Sequence, residues 1–471
     1  MYRSYILKIV KIVFIYIVLS IAFYFIARRG FRFQPVSTKL QQPEAILDEL
    51  SVGTYVEQEF ISSIDIIEKV SLYMNTFSRE NEGILTFSIF DEQYNVLTQL
   101  KMDTALLEND GIYEWNFEKP LDNTLGRKLR LTIESECPIG KAPSIYGYYG
   151  TMDGFTMMAN ERNFNIALCI SYAGLNSTWF ESHYTYCAIG ILVILILYLN
   201  WTHFCLHHNR DSRLSITIKI WKRYKFLIQQ LVSRDFKTKY KRSILGYLWS
   251  FLNPLFTTAI QYIVFSTIFK SDIKNFPVYL LSGIVLFGFF TDSVGQGLSA
   301  IVSNAPLITK VYVPKYIYPI TKVISSSINL GISLIPLLII CILTKAPLSA
   351  ALLLLPFVIV CLITFCIGMS LLLSSAMVFF RDTQYLWGII SLAWMYATPL
   401  FYPENIIPSE FIFIQKANPL YYMIKFARIV LIEGISPQPH IYACCFISAI
   451  ATMLLGSVVF KKTQNRFVLY I

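Results

Sequence analysis

Residues 234–255 read RDFKTKYKRSILGYLWSFLNPL. Five basic residues, Arg234, Lys237, Lys239, Lys241 and Arg242, and one acid, Asp235, crowd the first nine positions, and the remaining thirteen carry no charge. Such a step from dense positive charge to an apolar run marks the cytoplasmic end of a membrane span, because Lys and Arg are retained on that side. Just upstream, Ile218, Trp221, Leu227 or Ile228, and Leu231 recur at helical spacing with basic residues between them. That pattern suits a helix lying in the inner interface, its Lys and Arg toward the headgroups. Residues 207–244 are therefore expected to form a cytoplasmic, basic, amphipathic interface helix.

Outward from this boundary the chain is a polytopic membrane protein. Of its 471 residues 55% are hydrophobic and only 15% charged, which excludes an ordinary soluble protein. Six apolar runs follow the quoted stretch, at 249–269, 278–302, 317–343, 348–378, 385–401 and 441–460, several of them long enough to cross a bilayer core. They define a membrane domain over 245–471. With Arg234 inside, Lys310 and Lys315, then Arg381, then Lys461, Lys462 and Arg466 all fall inside; Lys270 and Lys274 fall outside and run against the rule. Two further runs lie upstream, at 5–27 and 184–205. The first lacks a small-residue cleavage site and reads as an uncleaved anchor, residues 1–30; the second gives a transmembrane helix at 184–206. Both termini are then cytoplasmic.

Residues 31–183, between these two spans, hold 22 of the 30 acids and 11 of the 40 Lys and Arg, so this block is net negative while the rest is strongly basic. It reads as a domain outside the membrane. Short alternating segments at 84–90, 96–100, 112–117, 128–134 and 164–172, separated by turn residues, suggest an all-β sandwich. The pattern resembles the jelly-roll modules of carbohydrate-binding proteins. Tyr146, Tyr148 and Tyr149 are candidates for a sugar-stacking platform, or else pack the sandwich. Cys137 and Cys169 either pair, if the compartment is oxidising, or remain free thiols. No metal site is expected.

The quoted stretch also carries a resemblance. Its RD, KxKY, SxLGxLW and NPL elements resemble the opening of the ABC-2 permeases that export O-antigen, teichoic acid and capsule. Further likenesses follow in the same order: NAPLITKVYVPKYIYP at 304–319, Phe379-Phe380-Arg381-Asp382, Thr398-Pro399-Leu400-Phe401-Tyr402-Pro403, and Asn418-Pro419-Leu420. They span 219 to the C-terminus, roughly half the chain; the anchor and the acidic block depart from the typical member. The resemblance implies a six-helix ABC-2 transmembrane domain with re-entrant gate helices near the outer mouth. It also implies a homodimer and two copies of a separate ATPase that binds ATP and Mg, since no GxxxxGK[ST] occurs in this chain. The coupling element to that ATPase would be Asn304, Leu307, Ile308, Lys310, Tyr312 and Lys315.

The implied cargo is a polyprenyl pyrophosphate-linked polysaccharide crossing the cytoplasmic membrane of a bacterium, with nucleic acid excluded as a partner. Arg234, Lys237, Lys239, Lys241 and Arg242 are candidates to hold the pyrophosphate, or to attract anionic membrane lipids. Sugar chains are gripped by aromatic faces. The stripe Phe251, Tyr262, Phe265 on the first core span and the stripe Trp387, Trp394, Phe401 on the fifth are the channel-lining candidates. Asp292 is an isolated acid inside the second core span, where a carboxylate usually faces a bundle interior or a cavity. The alternative cargo is a small hydrophobic compound or drug. A membrane glycosyltransferase would need a catalytic base and a paired-carboxylate motif that the membrane half does not offer.

Overall fold

The computed structural model describes residues 2–107, 111–160, 162–207, 213–239, 244–246, 248–268, 275–310, 313–403, 410 and 412–470. The chain divides into two compact units, Met1–Phe31 with Thr185–Ile471, and Arg32–Tyr184.

The first unit is helical. Its elements are α1 Tyr2–Ile26, α2 Trp179–His207, α3 Arg213–Lys239, α4 Leu248–Ile268, α5 Phe276–Ser303, the one-turn α6 Ala305–Ile308, α7 Ile317–Leu343, α8 Leu355–Phe379, α9 Thr383–Ala397, α10 Ile412–Ala417, α11 Pro419–Arg428, α12 Pro439–Thr463 and α13 Phe467–Tyr470. Among the described residues seven helices are long and apolar enough to cross a membrane. Helix α5 is the buried centre: Leu280, Phe290, Val294 and Leu298 are almost wholly enclosed. Lipid is as apolar as leucine, so helices in a bilayer associate through close packing and small residues. A Cβ on Gly456 of α12 would lie 2.1 Å from the Gly368 carbonyl oxygen of α8, and one on Gly297 of α5 would lie 2.3 Å from the Ser370 hydroxyl. The largely exposed apolar faces of α1 and α2 (Phe14, Leu19, Ile194, Leu197) suit contact with lipid.

Helix α3 is the expected amphipathic helix. Its apolar stripe packs on protein: buried Ile228 and Leu231 meet Ile301, Ile317, Tyr318, Phe460 and Phe467. One span differs in length. The run at 385–401 predicts a continuous crossing, but α9 stops at Ala397. Thr398 turns extended (φ −105°, ψ 128°), the conformation that a following proline imposes.

The second unit is all-β. Its strands are β1 Phe33–Ser37, β2 Ala45–Ile46, β3 Tyr55–Ile61, β4 Ile66–Asn75, β5 Ile84–Phe90, β6 Val96–Asp103, β7 Gly111–Leu121, β8 Lys128–Ser135, β9 Ser144–Tyr149, β10 Met158–Ala159, β11 Arg162–Asn163, β12 Ile166–Leu168 and β13 Ile170–Ser177. One antiparallel sheet runs β1-β13-β4-β9-β12, with β2 on β9 and β7 on β4; the other runs β11-β10-β3-β8-β5-β6. Alternate residues of both sheets, among them Phe60, Leu72, Phe87, Trp115 and Ile133, fill one core. Strands β3 and β4 escape the alternation pattern for identifiable reasons. β3 buries Gln58, whose Oε1 accepts from the Leu168 amide. In β4 the pairing with β7 shifts register between Ile67 and Lys69. Cys137 and Cys169 are buried free thiols, so they do not pair.

Candidate functional site

The basic end of the bundle is tied together by the quoted stretch. Asp235, nearly buried on α3, accepts from Lys322 of α7 at 3.0 Å and from its neighbour Arg234 at 3.1 Å. Arg234 also donates to the Asn304 side chain at 3.1 Å, and Asn304 caps the end of α5 by donating to the Ala300 carbonyl. About one turn on, Lys239 donates to both oxygens of Asp292 on α5 at 3.0 Å. Asp292 further accepts from Gln296 at 3.0 Å and Ser326 of α7 at 2.9 Å. Three polar ties thus join one interfacial helix to α5, α7 and the α5–α6 junction.

These contacts correct part of the pyrophosphate assignment. Arg234 and Lys239 are already paired, and only Lys237 among the described candidates is exposed without an ion pair. Lys241 and Arg242 lie outside the described residues. The loop candidates also separate. Asn304 is buried in the network; Leu307 and Ile308 pack partly against the cluster under α3. Lys310 is exposed. Lys315 donates to the Gln464 carbonyl at 2.7 Å, so it holds the C-terminal segment instead of projecting freely. Tyr312 lies outside the described residues.

At the far end two short motifs twenty residues apart meet. Asn418 caps α11 by accepting from the Leu420 amide at 3.0 Å. The same side chain accepts from the Trp394 indole at 2.7 Å and donates to the Thr398 hydroxyl at 2.8 Å. Arg428, buried at the end of α11, donates to the carbonyls of Pro399, Tyr279 and Leu400 and lies 3.4 Å over the Tyr279 ring. The Tyr279 hydroxyl donates to the Tyr402 carbonyl at 2.8 Å. The chain break after α9 is therefore held by side chains of α5, α9 and α11, which satisfies backbone groups that lipid could not. Arg428 was not legible as part of this site, because an arginine in a run of helical residues reads equally as a surface charge.

Between these ends a groove of about 470 Å³ lies between α4, α5 and α9, lined by Thr257, Gln261, Phe287, Ser391, Leu392 and Phe401. The Gln261 Oε1 atom is buried and has no hydrogen-bond partner among the described residues. The aromatic candidates divide here. Phe265 and Phe401 stack at 5.5 Å, bringing the two predicted stripes into contact. Tyr262 is exposed and tilts onto Phe276; Phe251 is half-buried near the basic end of α4. Trp387 is 8% exposed and packs edge-on against Phe290, in the core of the bundle and not on its open face. Trp394 also points inward, onto Phe290 and Asn418. The open face of α9 carries Tyr385, Ile389, Leu392 and Tyr396 instead. Their spacing is as helical as that of the tryptophan stripe.

In the β unit, Tyr146 and Tyr148 share one face of β9 and Tyr149 the other, since strand side chains alternate. Tyr146 accepts from Asn75 at 2.8 Å and packs edge-on to Tyr73; Tyr148 donates to the Thr151 carbonyl. Only Tyr149 is strongly exposed, at 69%. The three do not make one platform. Elsewhere Arg130 lies 3.8 Å over the Tyr94 ring between Glu57 and Glu59. Partial burial pushes the Glu59 carboxyl up, but hydrogen bonds from Lys128 and Arg130 outweigh it and leave the group below its ordinary value.

Residues 226–432 match the ABC-2 type transporter family. They take in α4, α5, α7, α8, α9 and the α10–α11 pair, together with the C-terminal half of α3. This segment is an ABC-2 type transporter domain. The ABC-2 domain's relatives carry more specific names. An O-antigen export system permease protein, RfbA, of Klebsiella pneumoniae is 29% identical over 257 residues, 54% of this chain and 98% of its own. A protein of the same name from Myxococcus xanthus is 27% identical, covering 52% and 95%. The polysialic acid transport protein KpsM of Escherichia coli is 22% identical, covering 51% and 95%. The likeness uses about half of this chain and nearly all of each relative. The protein is a multi-pass membrane protein with an ABC-2 permease domain, and such domains are the membrane components of transporters.

Proposed function

We propose that this chain is the permease subunit of an exporter that carries a lipid-linked cell-surface polysaccharide across the cytoplasmic membrane. A separate ATPase, two copies to two copies of this chain, binds ATP and Mg and supplies the work. The basic end lies in the cytoplasm with both termini, and the β unit lies outside. The observation that carries the reading is the match of the ABC-2 domain to permeases named for O-antigen and polysialic acid. The groove between α4, α5 and α9 supports it: Phe287 and Phe401 offer apolar faces, and Gln261 and Ser391 offer partners for sugar hydroxyls. Neither group demands one sugar, as suits a polymer of repeating units.

The ties at the basic end explain how force would enter. The ATPase would dock on α6 through exposed Lys310 and the turn around Leu307. A displacement there reaches α3 through Asn304 and Arg234, α7 through Asp235 and Lys322, and α5 through Lys239 and Asp292. Interfacial helix and spans then move as one body. The far-end clasp around Asn418 and Arg428 would open as the chain passes.

Deletion of the gene in the native bacterium tests the reading. The expected result is loss of one surface glycan with accumulation of its lipid-linked form inside the cell. Unchanged surface glycans together with heightened sensitivity to small hydrophobic toxins would sink it and favour a drug exporter.

A further inference from the structure

A second cavity of about 420 Å³ lies between α4, α5 and α7 and adjoins the groove at Thr257, Ile284 and Gly288. Its polar lining includes Lys239, Asn253, Thr257, Asp292 and Asn329, and Trp249 stands at its basic end. Apart from Lys239, which ends the interfacial helix α3, these polar groups sit on apolar spans, where each is costly unless it meets water, protein or a ligand. Lys239 and Asp292 satisfy each other. Asn253 and Thr257, on α4, show no side-chain hydrogen bond among the described residues. Apolar walls complete the enclosure, from Pro254, Val285, Phe289 and Leu330.

The charge of the cavity selects its ligand. The lysine is neutralised by the carboxylate it grips, and that carboxylate would repel a phosphate brought alongside it. A neutral, polyhydroxylated ring fits better. Amides and hydroxyls both donate and accept, and Trp249 offers an aromatic face for the apolar side of a sugar. We infer that this cavity is a sugar site: it holds a pyranose unit of the lipid-linked cargo, while the phosphates stay outside with Lys237 at the basic surface. The inference rests on the export reading and adds to it a place where the glycan, and not its carrier, is recognised.

The test uses the full chain in lipid nanodiscs. It is titrated with farnesyl pyrophosphate and with farnesyl pyrophosphate esters bearing one hexose, one N-acetylhexosamine or one deoxyhexose. At least one glycosyl ester should bind about tenfold more tightly than the sugarless lipid, the worth of one or two good hydrogen bonds. In Asn253→Leu, at a residue that lines this cavity and not the groove, and in Thr257→Val, at one that lines both, that ratio should fall toward one, and the Asn253 result decides between the two spaces. Both changes nearly preserve volume on a lightly packed helix, and each variant's unfolding temperature serves as its folding control. Equal binding of all lipids by the wild type overturns the sugar site and leaves the export reading standing. So does a ratio that survives in Asn253→Leu, since the sugar is then read elsewhere. If the wild type binds none of the lipids, the lipid-linked cargo fails as well.

Discussion

Consider Asp235→Ala. The Asp235 side chain is 8% exposed and Lys322 17%, with 3.0 Å between their charged atoms. Removing the acid strands Lys322, which has no other ion pair among the described residues. Breaking a buried pair in this way costs ~3–5 kcal/mol. The lower end applies, because Lys322 retains some exposure and stands near the start of α7: about 3 kcal/mol. The converse change, Lys322→Ala, leaves Asp235 with Arg234, whose side chain is 50% exposed. A half-exposed pair is worth little, yet it spares the acid from isolation, so the loss should be about 1.5 kcal/mol. The double variant buries neither charge alone and should lose about 1 kcal/mol, since buried pairs are often replaceable by apolar groups. The coupling energy is then ~3.5 kcal/mol. At about 2 °C per kcal/mol for a large domain, the unfolding temperature of the detergent-purified chain should fall about 6 °C, 3 °C and 2 °C respectively. Export should follow the same order, with Asp235→Ala lowest. A double variant as damaged as Asp235→Ala, or Lys322→Ala worse than Asp235→Ala, would refute the claim that this pair docks α3 on the bundle.

Three further outcomes are expected. Asn418→Ala removes a helix cap worth about 1 kcal/mol and leaves the Trp394 indole without its acceptor, while the Thr398 hydroxyl keeps its bond to the Trp394 carbonyl; on the export reading surface glycan should drop severalfold, and Asn418→Asp should restore more of it than Asn418→Ser. Glu59 titrates below its ordinary value when folded, so its contribution to the β unit is present above the usual glutamate range and lost as pH falls through the folded value; the protection of β3 and β8 amides, taken relative to the intrinsic exchange rate at each pH, should fall on acidification, and less so in Glu59→Gln. Burial pushes the Cys169 thiol up to about 11, so the native chain at pH 8 should leave Cys169 unalkylated, and its intact mass should show no Cys137–Cys169 bond.

The sequence made the long elements legible and the pairings illegible, for physical reasons. Apolar length and the positive boundary at Arg234–Arg242 located α3 and α4, because a bilayer imposes both. Strands β5 to β8 showed themselves by alternation, whereas buried Gln58 and the shifted register near Ile67 hid β3 and β4. Trp387 packs inward where its stripe reads as an open face, because both sides of a membrane helix are apolar and periodicity finds a stripe without saying which way it faces. Lys239 and Arg234 looked like free cations because their partners, Asp292 and Asn304, lie 53 and 70 residues away. The Asn418 clasp was half legible: both motifs stood out, but nothing in their spacing brought Trp394 to them.

The shortness of α9 bears on the height of the barrier itself. Fifteen residues rise about 22 Å, against a hydrocarbon core of about 30 Å. The missing length is occupied by the Thr398 hydroxyl, the Asn418 amide, the Arg428 guanidinium and the carbonyls they hold. Beside α9 the low-dielectric slab is therefore thinner by about a quarter. On the proposed export reading, a hydrated sugar leaving the groove would meet polar matter before it met the far headgroups, so the stretch over which it would have to shed water shrinks to the groove alone.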